Sequence, residues 1–150
     1  MSPERKKCAN LAIDSAIAVL EMVLQEPDIQ RSLVGVPLYV HTMITFAAVF
    51  LLKIAAKSCS SGILGSQAQQ NSIASAGLRI DLTFIRGLVG RTVDLMVSCS
   101  RRAGERHLSH HIARGLRKML GGFEELEKRN ANVGSSLPPA RDTASSLFRP

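Results

Sequence analysis

Aromatic residues are scarce in this chain of 150 residues: they make up 4%, with no Trp and a single Tyr, Tyr39. Its core must come from Leu, Ile, Val, Ala and Met, a set that suits helix packing better than a β-sandwich. Cysteine is also rare. Cys8, Cys59 and Cys99 are odd in number, far apart and without a CxxC pair, which excludes a disulfide framework and paired-thiol zinc or redox motifs. Such usage fits a reducing, intracellular setting. Gly62, Gly65, Gly121 and Gly122 fit neither GxxxxGK[ST] nor GxGxxG, so no phosphate-cradling loop is encoded. The opening MSPERKKCANLAID is charged and then amphipathic, unlike a secretory leader. What is plentiful is aliphatic: 45% of residues are hydrophobic and 21% charged, which excludes a chain disordered throughout.

The net charge of +7 is unevenly placed. Residues 1–8 carry +2, and 9–100 balance. Residues 101–118 carry +5, from Arg101, Arg102, Arg106, Arg114, Arg117 and Lys118 against Glu105. Such a cluster can face nucleic acid, an acidic protein partner or water. With no aromatic residue interleaved, single-strand nucleic-acid binding is poorly supported.

Apolar spacing predicts four helices and no strand. Leu11, Ile13, Ala16, Ile17, Leu20, Val23 and Leu24 form one face of a helix over about 6–26, which Pro27 should end. A break spans 28–37, with Pro37 suited to the first turn of the next helix. Residues 36–52 are apolar almost throughout and continue helically to about 57. Residues 58–76 read as a small, polar connector. Two further helices are expected, from about 78 to 100 and from 105 to 129. The tail from 130 has no period and is expected to be disordered. The expected organisation is thus an all-α, incomplete helical bundle over 1–129 and a disordered tail over 130–150.

The apolar helix is short for a membrane span, since its seventeen residues at 1.5 Å each cover about 26 Å. His41, Thr42, Thr45, Lys53 and Lys57 fall on one side, with Val40, Met43, Ile44, Ala47, Ala48, Phe50, Leu51, Ile54 and Ala55 opposite. That segregation predicts a helix packed among neighbours, with the polar edge outward. His41 is read as a satisfied core or interface histidine. Glu105, His107, His110 and His111 are the one metal-like grouping, with His107 and His111 spaced to share a helical face. They lack the central Glu of HExxH and a third ligand. The expectation is therefore no catalytic residue, no metal and no cofactor. The three cysteines are read as small hydrophobes, and Arg101–Arg102 as complementing their own helix's C-terminus.

The segment LVGVPLYVHTMITFAAVFLLKIA, above all its FAAVFLLK block after a Gly-x-Pro turn, resembles the C-terminal half of the middle homology region of fungal binuclear zinc-cluster transcription factors. AIDSAIAVLEMVLQEPDIQRSLVGVP and RHLSHHIARGLRKML look like its flanking helices, so the resemblance covers roughly 8–125. It implies a nuclear regulator of RNA polymerase II transcription, not an enzyme. The signature and packing positions it marks are Gly35, Pro37, Leu38, His41, Ile44, Phe46, Phe50, Leu51 and Lys53. The family's six-cysteine DNA reader and its zinc ions have no counterpart here, so the chain looks like a fragment or truncated form. The resemblance implies no DNA contact by this chain; partners are expected to be proteins, or a second copy, meeting exposed apolar helix faces. The basic cluster at 101–118 is a possible partner-binding site. The alternatives are a helical membrane-associated protein held by residues 36–56 and a stand-alone helical adaptor.

Overall fold

A computed structural model describes residues 2–60 and 80–134. Those residues form five α-helices: α1 (Pro3–Gln25), α2 (Pro27–Ser32), α3 (Leu38–Ser60), α4 (Leu82–Ala103) and α5 (Leu108–Gly134). No strand occurs among them, so the class is all-α.

Local chemistry sets the helix ends. Ser2 caps α1 by accepting the Arg5 N–H, Pro3 occupies the first turn and Glu4 places negative charge there. α1 stops at Glu26, as Pro27 predicts, but Pro27 then opens α2, so the expected break contains a further helix. A proline terminates the helix before it by constraining its predecessor, yet it suits the first position of the next. Gln30 ties α2 back by donating to the Leu24 carbonyl at 2.7 Å. Asp81 caps α4 by accepting the Phe84 N–H at 3.0 Å. Gly104 ends α4 at φ +94°, a conformation that favours glycine.

α3 lies at the centre, against α1, α4 and α5, and the α4–α5 pairing is the most extensive. The core combines Ile13, Leu20, Leu33, Ile44, Leu51, Leu88, Met96 and Leu116. Several boundaries differ from expectation. α3 continues to Ser60, into the supposed connector, whose remainder lies outside the described residues. α5 runs through 130–134, where the disordered tail was expected to start; residues 135–150 are outside the description.

The inward face of α3 is rotated by about 60° from the apolar half expected. It consists of His41, Ile44, Ala47, Ala48, Leu51, Leu52, Ala55 and Cys59. Leu38, Tyr39, Met43 and Phe46 lie outside, Phe46 at 71% exposure. The polar edge is mostly the wet edge, with Thr42, Lys53 and Lys57 exposed and Thr45 half-buried, but His41 is turned inward and buried. Three flanking helices decide which side is covered, and a helix apolar over most of its circumference resists that rotation only weakly. By length and composition both α1 and α3 could cross a membrane.

Candidate functional site

Two turns meet at one end of the molecule, the α2–α3 turn and the α4–α5 turn. Arg102, near the end of α4, donates to the Gln30 carbonyl at 2.7 Å and the Arg31 carbonyl at 3.4 Å. It thus serves the C-terminus of α2 as well as lying, with Arg101, in the last turn of its own helix, where positive charge meets the helix dipole. His107, in the α4–α5 turn, bonds through Nε2 to the Val34 carbonyl at 3.2 Å. Its Nδ1 faces Ser109, with the hydroxyl at 2.8 Å and the N–H donating at 3.3 Å. An Nδ1 that accepts from an N–H leaves the ring proton on Nε2, which then donates to Val34.

His41 enters this end from the first turns of α3 and is 2% exposed. Its ring hydrogen-bonds the Pro37 carbonyl, while Nε2 is buried with no partner. Nδ1 is therefore the nitrogen that donates, and the Nε2 lone pair points into the interior. Burial, and secondarily the charge of His107, hold the His41 pKa below its usual value against the opposing bond to Pro37. An unpaired buried acceptor of this kind costs about 1–3 kcal/mol. Cys99, wholly buried on α4, completes the group. The His41 and His107 rings meet edge to face at 5.3 Å between centroids. One ligand atom from each of His41, Cys99 and His107 lies within 4.8 Å of the others.

This is not the grouping read along the sequence. Glu105 and His111 are exposed and His110 is half-buried. His107 precedes the first residue of α5, so it shares no helical face with His111. No short motif could reveal the convergence of residues 41, 99 and 107; the available signal was a histidine inside the most apolar helix.

The signature positions divide. Ile44 and Leu51 are buried, Phe50 is half-buried, and Leu38, Phe46 and Lys53 are exposed. Phe46 stacks on Phe50 at 6.3 Å. Gly35 donates its N–H to the Ser32 carbonyl at 2.9 Å, and Pro37 supplies the carbonyl that holds His41. Arg101, Arg102, Arg106, Arg114, Arg117 and Lys118 are all exposed. Arg114, Arg117 and Lys118 share the outer face of α5.

The far end of the bundle is differently arranged. Asn130 donates to the Cys59 carbonyl at 2.9 Å, and Arg86 pairs with Glu127 at 3.0 Å. Burial, helped by the Glu127 charge, pushes the Cys59 thiol pKa up.

The sequence that builds these five helices is similar to part of a fungal transcriptional activator. The transcriptional activator of proteases prtT of Emericella nidulans is 41% identical to it over 157 aligned residues, covering 99% of this chain. The chain spans 21% of that relative's length. No family model matches the chain, and no solved structure matches it.

Proposed function

We propose that this chain is an all-α regulatory segment of a fungal zinc-cluster transcription factor, acting in the nucleus on RNA polymerase II transcription. Its role is non-catalytic. The observation that carries the reading is 41% identity over 99% of the chain to a transcriptional activator, in a region rich in amphipathic helices. Three cysteines without a CxxC pair cannot build a six-cysteine zinc reader, so DNA contact belongs to other parts of such a factor. This segment works through protein contacts. Leu38, Tyr39, Met43 and Phe46 form an exposed apolar stripe on α3, a surface of the kind that protein partners or a second copy cover. The basic face of α5 lies elsewhere on the surface and suits an acidic partner.

A chimera tests the proposal. The matching stretch of the Emericella nidulans activator is replaced by this chain, and transcription of protease genes is measured against wild type and against deletion of the stretch. The expected result is regulated transcription in the chimera and altered regulation in the deletion. Wild-type regulation in the deletion strain would overturn the proposal.

A further inference from the structure

The end of the bundle where the two turns meet holds three metal-ligating groups that the regulatory reading does not use. We propose that His41, Cys99 and His107 bind a single thiophilic closed-shell cation, Cu(I) in preference to Zn(II).

The donor set is assembled from three separate places: the start of α3, the end of α4 and the α4–α5 turn. His41 is held as a metal ligand usually is. One ring nitrogen is fixed by a backbone carbonyl, that of Pro37, and the other presents a bare lone pair to the interior. Cys99 supplies a buried sulfur, and His107 a half-buried ring. Ligand atoms on one zinc or copper ion stand roughly 3.4–3.8 Å apart, as follows from bonds of about 2.0–2.3 Å. Donors within 4.8 Å of one another reach that by small side-chain adjustments. To bind the ion, His107 gives up either its two Ser109 contacts at Nδ1 or its bond to the Val34 carbonyl at Nε2. The Cys99 S–H releases its proton to solvent as the metal–sulfur bond forms, one proton per ion bound.

Charge and coordination number favour copper. Two neutral imidazoles and one thiolate make a neutral complex with Cu(I) but leave Zn(II) with a net positive charge in the interior. Arg102 already brings positive charge to this end, and Glu105 is exposed. Zinc also takes four ligands, whereas three soft and borderline donors satisfy Cu(I).

The test uses the full 150-residue chain, reduced and anaerobic, with Cu(I) delivered against bicinchoninate and Zn(II) against a colorimetric chelator. Wild type is expected to take one Cu(I) per chain, with an absorption-edge spectrum showing one sulfur and two nitrogen neighbours. Cys99→Ala and His41→Leu should each weaken binding at least tenfold, while Cys8→Ser and Cys59→Ala leave it unchanged. Circular dichroism shows whether each variant keeps its helices; where one does not, the wild-type metal–ligand shell decides. Three results overturn the proposal: no stoichiometric Cu(I) binding, a sulfur-only shell, or binding indifferent to residues 41 and 99. Zn(II) held more tightly than Cu(I) overturns the copper assignment.

Discussion

α3 carries a buried polar residue near one end and a buried cysteine near the other, His41 and Cys59, about 27 Å apart along its axis. The two ends are resolved in opposite ways. Around Cys59, Asn130 meets the backbone carbonyl, Arg86 meets Glu127, and the thiol is held protonated. Around His41, bonds between distant parts of the chain are equally plentiful, through Arg102 and His107, yet one buried nitrogen is left bare beside a second thiol. A closed polar network is explained by stability. An open one that burial alone makes costly suggests a ligand.

The largest expected effect lies between the two ends. Leu51 is fully buried on α3, and Leu51→Ala should lower unfolding free energy by about 2–5 kcal/mol in a denaturant melt. Phe46→Ala, on the same helix but outward, should stay within about 0.5 kcal/mol. Equal losses would mean that α3 packs with a different face, and with it the environment assigned to His41 would fall.

The two ends should also answer differently to removal of a polar group. His41→Leu removes a bare buried acceptor worth about 1–3 kcal/mol, against one lost bond to Pro37 of about 0.5–1.5 kcal/mol. Stability of the metal-free chain should hold or rise. Asn130→Ala deletes a satisfied bond and should cost about 0.5–1.5 kcal/mol. Paired thermal melts of the two variants check the sign. A large loss in His41→Leu would show that Nε2 has a partner in solution and that the site is structural.

Much of the fold is legible in the sequence, because helix periodicity is local. The face of α1 follows from apolar spacing, save for Leu11, which is exposed, and Pro27 correctly marks the end of α1. α2 was hidden because the same proline that stops one helix can start another within a single residue. The rotation of α3 was hidden because a helix apolar nearly all round does not state which side its neighbours will take. The His41–Cys99–His107 group was illegible for a deeper reason. Its members share no spacing, and His107 looks helical beside His111 only until Gly104 turns the chain and the ring swings toward Val34.

The smallest effect concerns the closed end and tests why Cys59 is inert. Its thiol is raised first by burial and then by the Glu127 carboxylate. The thiolate therefore forms at higher pH in the folded chain than in the unfolded one. The unfolded state loses its proton first, so this group costs no stability at neutral pH and begins to destabilise the fold as pH rises past the ordinary thiol range. Glu127→Gln removes the lesser of the two causes. Alkylation of Cys59, followed by peptide mass analysis across alkaline pH, should shift modestly toward lower pH while staying above that of the same thiol in the denatured chain. The loss of the half-exposed pair with Arg86 should cost about 0–1 kcal/mol. If Glu127→Gln brings the Cys59 profile down to that of the denatured chain, the charge and not burial holds the thiol. The closed end would then be an electrostatic arrangement as open to change as the histidine end.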